Sequence, residues 1–195
     1  MTLPAETVTE RLVLRPPGES DAASIFARYA QDRDVCRYLS WAPHRTIDDT
    51  IEFLRRITGD NTAGRSIGYL IFARNGGELL GSIGGAIEEH RIQFGYCLAR
   101  DAWGRGFATE AGNAFIRALS ASPAIQRVQA FCDVENDKSA RVLQKLGLQR
   151  EGTLRQYLVL PNLGPTPRDV LLYATTRESE GAFANNWPIA AGNEP

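Results

Sequence analysis

The chain has 195 residues, with 22 lysines and arginines against 23 aspartates and glutamates and a formal charge of −1. That balance gives no electrostatic basis for a nucleic-acid binder, which normally carries a basic surplus or stripe. No apolar run approaches the roughly 18 residues needed to span a bilayer, so the length points to one sizeable domain with its own core.

In chain order, "RLVLRP" (residues 11–16) alternates charged and apolar residues and predicts a strand ended by proline. "GESDAASIFARYAQD" predicts a helix capped by Ser20 or Asp21, with Ala22, Ile25, Phe26 and Tyr29 at helical spacing. An irregular aromatic link, "CRYLSWAPHRT", precedes a second helix over "TIDDTIEFLRRI". Thr46 caps that helix, with acids in its first turn and arginines in its last. After the loop "TGDNTAGR", the runs "SIGYLIFAR", "LLGSIGGAI" and "IQFGYCL" predict three strands joined by short turns, an antiparallel meander. A helix over about residues 108–121, a buried strand over 127–134 and a helix in "NDKSARVLQKLG" follow, the last running from Asn136 or Asp137 to Gly147. "EGTLRQYLVL" and "RDVLLYATT" predict two final strands around the loop "PNLGPTP". Only the stretch 92–134 reads as a β–α–β unit. The expected architecture is one mixed α/β domain over residues 1–178, with a loosely packed tail at 179–195.

The N-terminus lacks the charged-then-apolar pattern of a secretion leader. Cys36, Cys97 and Cys132 are odd in number and widely spaced, which predicts inert thiols in a reducing compartment. His44 and His90 are too far apart to suggest a metal cluster. A cytoplasmic protein without a metal site is expected.

"WGRGFATEAGNAF" (103–115) sets glycines on either side of an arginine and then turns helical, a pattern that suits an anion. A phosphate-binding P-loop is excluded, because no lysine followed by Ser or Thr closes the run. A dinucleotide fingerprint fits poorly, since an antiparallel meander precedes the loop and Asp133 comes too late to hold a ribose. Two readings remain from the residues alone. One is a pyrophosphate cradle of N–H groups from Arg105 to Thr109, which Gly104 and Gly106 leave open to close approach. The other is a glycine turn that caps a helix and holds nothing.

Taken with "TERLVLRPPGESDAASIF", "YLSWAPHRTIDDTIEFL", "FGYCLARDAWGRGFATEA", "NDKSARVLQKLGLQREGTLRQY" and "RDVLLYA", the chain resembles the Gcn5-related N-acetyltransferases (GNAT). The branch it resembles holds the enzymes that acetylate the N-termini of ribosomal proteins. The resemblance implies a mostly antiparallel mixed sheet flanked by helices, whose two central strands, 92–98 and 127–134, part to admit acetyl-CoA as co-substrate. Tyr96, Cys97 and Leu98 would pair through their backbones with the pantetheine arm, one N–H serving as oxyanion donor. Trp103, Gly104, Arg105, Gly106, Phe107, Ala108 and Thr109 would hold the pyrophosphate. Asn136 would bind the pantetheine or a substrate carbonyl, or simply cap its helix. Ser139 would contact the cofactor and offer a hydroxyl to the departing sulfur, or bond its own backbone.

Two positions depart from the wider family: Trp103 replaces a usual Gln or Arg, and Leu143 replaces a tyrosine that serves as general acid. Leu158 stands near a place where some members carry an acid. Glu88 is then the chosen candidate base, ahead of Glu89, His90 and Glu110; Glu110 is read chiefly as a helix-dipole acid. Tyr38, Trp41, His44, Arg155 and Tyr157 would line the acceptor site, and Arg155 or Arg168 could meet a carboxylate or peptide carbonyl. The acceptor expected is a protein α-amine. The alternatives are a small amine (antibiotic, polyamine or amino-acid derivative) or a CoA-binding sensor without turnover. Dimers are common in the family, so a homodimer stays open.

Overall fold

The computed structural model describes residues 4–177 and Phe183. Alternation in the first predicted strand yields β2 (Leu12–Arg15), which buries Leu12 and Leu14 and leaves Val13 and Arg15 half-exposed. A short strand with no local signal, β1 (Thr7–Val8), pairs antiparallel with it. The meander forms as expected: β3 (Ser66–Ala73), β4 (Leu79–Glu88) and β5 (Arg91–Leu98) are successive antiparallel neighbours. With β6 (Arg127–Asp133), β7 (Gln149–Leu158) and β8 (Arg168–Thr176), they complete an eight-stranded sheet ordered β1-β2-β3-β4-β5-β6-β8-β7. Only β5 and β6 are parallel, and α4 (Phe107–Ser120) connects them.

The sheet has helices on both faces. Under α4 and α5 (Asp137–Lys145), Ile92, Phe94 and Val128 pack with Ala111, Phe115, Leu119 and Leu143 in the larger core. A smaller core on the opposite face joins Leu70, Leu79 and Ala99 to Ile25, Tyr29 and Leu54. Those last residues come from α1 (Ala22–Ile25) with its π-turn continuation at Phe26–Ala30, and from α3 (Ile47–Thr62); α2 (Arg33–Cys36) lies between them.

Several expectations are corrected. The first helix opens as a 3₁₀ turn with Gly18 at its N-cap; Asp21 does stand at the N-cap of α1, but its carboxylate accepts from Gly18 N at 2.9 Å and from Arg15 rather than from the N–H groups of α1. The helix continues as a π turn over Phe26–Ala30, with Tyr29 and Ala30 buried. An unforeseen short helix, α2, capped by Asp32, precedes the irregular link and shares only Cys36 with it. The capping box at Thr46 forms, but α3 runs through the stretch expected as loop, so its arginines sit mid-helix. Weak helix formers persist there because bonds to the start of the next strand satisfy them: Asp60 holds Arg65, and Asn61 Oδ1 accepts from Ser66 Oγ at 2.8 Å. The tail lies outside the described residues except for Phe183. That ring is buried in the larger core beneath the Arg177 guanidinium, so at this point the chain is packed.

Among the described residues, no helix is long and apolar enough to cross a membrane. The three cysteines are unpaired; burial pushes Cys36 up to about 12, and Cys97 and Cys132 up to about 11.

Candidate active site

β5 and β6 are in register at only three pairs, ending with Gln93 and Gln129. Beyond them the strands diverge. Ala99 N donates to Leu80 O at 2.8 Å, which makes Leu80–Ala99 a hydrogen-bonded pair of the β4–β5 ladder. Strict alternation then directs the backbone of Cys97 and Gly95 toward β4, and that of Phe94, Tyr96 and Leu98 into the gap beside β6. Cys97 is thus taken out of the group expected to meet the pantetheine; its thiol also lies 3.3 Å from Ser82 Oγ. The Leu98 carbonyl is engaged too, because the Trp103 indole N–H donates to it at 2.8 Å. Open to an extended ligand strand are the amide N–H of Tyr96 and Leu98 and the Tyr96 carbonyl.

The mouth of the gap is the glycine loop. Gly104 and Gly106 have φ of 74° and 82°, a region where an L side chain is strained, so glycine is required there. Gly106 caps α4 with no side-chain acceptor, and the first helical bond across it runs from Glu110 N to Gly106 O at 3.1 Å. The N–H groups of Phe107, Ala108 and Thr109 therefore lack intrahelical acceptors and sit at the positive end of the helix dipole. Gly104, Arg105 and Gly106 are exposed, so an anion has free access. Trp103 packs against both cores, and Lys138 from α5 stands 4.9 Å over its ring, closing across the mouth.

Glu110 has a structural post. Its carboxylate accepts from Thr9 Oγ1 at 2.6 Å, Arg11 N at 2.9 Å and Arg11 Nε at 2.7 Å. Burial pushes its pKa up, but these hydrogen bonds outweigh burial and hold it below the ordinary glutamate value. Arg11 also donates to Arg105 O at 3.1 Å and stacks on Phe107, so the turn between β1 and β2 braces the loop from outside. No local signal reveals this bracing, because the partners lie 99 residues apart.

Across the gap, Asn136 caps α5: its Oδ1 accepts from Ser139 N at 3.2 Å. The Ser139 hydroxyl meets Tyr96 OH at 3.2 Å. Leu143, where the family's tyrosine would be, is buried in the core. Asp133, at the end of β6, is buried and held by Arg168, which also bridges Glu135 at 3.0 Å; Arg168 is therefore committed within the fold.

The opposite sheet face carries a cavity of about 430 Å³ directly below the point where the strands part. Its polar lining is Glu88, Arg91, Gln93, Arg127 and Gln129, and its apolar lining is Leu154, Tyr157 and Leu172. The charges are paired: Glu88 with Arg91 at 2.7 Å, and Arg127 with Glu151. Tyr157 reaches this cavity from a bulge in β7, where Gln156 has φ 46° and donates its N–H to Asp169 Oδ1 at 2.8 Å. Its ring meets Phe131 edge-on at 5.6 Å, while Arg155 is exposed. Asn162, in the loop after β7, donates its amide to the carbonyls of Cys36 at 2.6 Å and Trp41 at 2.8 Å and so holds the 36–41 loop; of the expected acceptor residues only Tyr157 lines the cavity. His44 is packed with Trp41 and Phe53 and bonds Thr50 through Nδ1 at 2.8 Å; burial pushes its pKa down, which keeps it neutral.

A sheet that opens between parallel strands above a glycine-capped helix defines an acyl-CoA-binding architecture, and comparison agrees. The acetyltransferase (GNAT) domain model matches residues 11–149, so the chain belongs to the GNAT acetyltransferase family and is an N-acetyltransferase. An uncharacterized N-acetyltransferase of Bacillus subtilis, YoaA, is 31% identical over 175 residues, covering 88% of this chain and 97% of the relative. The ribosomal protein uS5 alanine N-acetyltransferase of Escherichia coli is 26% identical over 163 residues, covering 78% and 82%. Among solved structures, RimL, a ribosomal L7/L12 α-N-protein acetyltransferase in complex with coenzyme A, shares the fold with TM-score 0.78 and 23% identity. That match covers 89% of this chain and 97% of RimL.

Proposed function

We propose that the chain transfers the acetyl group of acetyl-CoA to the α-amine of a protein N-terminus by direct attack. The observation that carries this reading is the parting of β5 from β6 immediately above the unsatisfied N–H groups of α4. Pyrophosphate fits those N–H groups, and the pantetheine arm fits the backbone edge at Tyr96 and Leu98. The amine nitrogen then attacks the thioester carbonyl from the cavity side. A C–N bond forms, the backbone N–H edge of β5 supports the oxyanion, and the C–S bond breaks to release the thiolate.

The acceptor class follows from charge. A polyamine or aminoglycoside needs unpaired carboxylates, whereas Glu88, the carboxylate that lines this cavity, is already matched by Arg91. An open cavity with amide and apolar lining suits a peptide better. The experiment is thiol release from acetyl-CoA against peptides of differing first residue, polyamines, aminoglycosides and amino acids, with mass spectrometry of each acceptor. Acetylated peptides are expected; modification of a small amine alone overturns the acceptor assignment. CoA binding with no turnover on any amine points to a sensor.

Glu88 is the proton sink in this scheme, acting through water from the cavity rim. An α-amine titrates near ~8, so at pH 7 only about a tenth is neutral and ready to attack. Glu88→Gln is expected to lower kcat/KM for a peptide by about tenfold at pH 7 and less than about twofold at pH 9, where the amine has already lost its proton. An equal loss at both pH values removes Glu88 from this role.

A further inference from the structure

The family's usual acid is absent, yet the gap still presents two facing hydroxyls. Tyr96 projects from β5 and Ser139 from the first turn of α5, so their 3.2 Å contact spans the place where the strands have parted. Two features set the direction of that bond. Ser139's own N–H is satisfied by Asn136, which leaves its hydroxyl free of the helix backbone. Tyr96 is desolvated, which pushes its hydroxyl up to about 12 and keeps it protonated, and a phenol is the stronger donor of the two.

We propose that Tyr96 is a positioning residue for acetyl transfer: its hydroxyl donates to Ser139 Oγ and so directs the serine proton at the departing thiolate. This rests on the reading of Ser139 as the group that meets that sulfur. No proton changes owner in the arrangement. The C–S electron pair leaves on sulfur, whose acid titrates near ~8.5 by analogy with cysteine, and a charge-assisted bond polarised by a second hydroxyl holds the anion. The sequence separation of 43 residues explains why neither motif reveals the pair.

The test is a double-mutant cycle with Tyr96→Phe, Ser139→Ala and the double variant, reading kcat, KM for acetyl-CoA and the thermal midpoint. Each single change removes one hydroxyl and keeps the surrounding packing. Each is expected to lower kcat by about tenfold, the effect of one well-placed hydrogen bond, with KM and midpoint unchanged. The double variant is expected to match Ser139→Ala alone, because Tyr96 acts only through the serine. Wild-type kcat in Tyr96→Phe with a slow Ser139→Ala overturns the inference and leaves the serine's role standing. Multiplying losses in the double variant also overturn it, since a packing role for Tyr96 adds independently. Wild-type kcat in Ser139→Ala removes the underlying reading and the inference with it.

Discussion

Gly106→Ala is expected to weaken acetyl-CoA binding by about tenfold to thirtyfold while the protein stays folded. Gly106 has φ 82° and ψ 0°, and an L residue held there carries about 1–2 kcal/mol of strain. The added Cβ meets only the end of the Arg11 side chain, at 3.4 Å, which can move, so the core is not disturbed. The loop instead relieves its strain by leaving the left-handed region, and that turns the N–H groups of Phe107 to Thr109 away from a common focus. An energy of 1–2 kcal/mol corresponds to roughly five- to thirtyfold in affinity, and poorer approach of the phosphate places the result toward the upper part of that range. Calorimetric titration with CoA measures it, with a thermal scan as control. Unchanged affinity in a destabilised protein shows that the loop is only a helix cap.

The second large effect belongs to stability. Asp133 is 3% exposed, and its carboxylate accepts from Arg168 Nη2 and from Glu135 N, both at 2.9 Å. It pins the end of β6 to the start of β8 and shapes the turn that delivers Asn136 and Ser139. Asp133→Ala leaves the Arg168 guanidinium with Glu135 alone and frees the Glu135 N–H. The expected loss is about 2–3 kcal/mol, below that of a fully buried pair because Arg168 still reaches water, and the midpoint falls by about 5–10 °C. The same bonds give a pH signature. Burial pushes the Asp133 pKa up, but Arg168 and the Glu135 N–H outweigh it and leave the folded value depressed. A depressed carboxylate contributes stability that is full above its unfolded value near ~3.9 and is lost as pH falls through the folded value. The variant and the parent should therefore converge in stability on acidification below about pH 4. A gap that persists at low pH assigns the effect to packing. Because the Asn136 turn moves with Asp133, kcat should fall as well.

Much of the scaffold was written in local patterns. Alternation marked most of the strands, the Thr46 box and Gly147 marked helix ends, and the glycines of the cofactor loop announced positive φ, since each of these signals acts over a few residues. The sequence by itself therefore determined the order of the longer elements and the β–α–β unit, though not β1 or α2, and with the family resemblance it placed Ser139 and Leu143 correctly on α5. Tertiary structure alone decided what depends on register and distant partners. It turned the Cys97 backbone toward β4, tied Glu110 to Arg11 and Thr9, committed Arg168 to Asp133, carried α3 onward through Asn61, and buried Phe183. It also set Tyr96 against Ser139 and fastened Asn162 to the 36–41 loop. Periodicity and capping act within a turn or a strand, whereas the contacts of Glu110, Asp133, Tyr96 and Asn162 join groups 35 to 126 residues apart and exist only once the sheet has fixed which strand lies beside which.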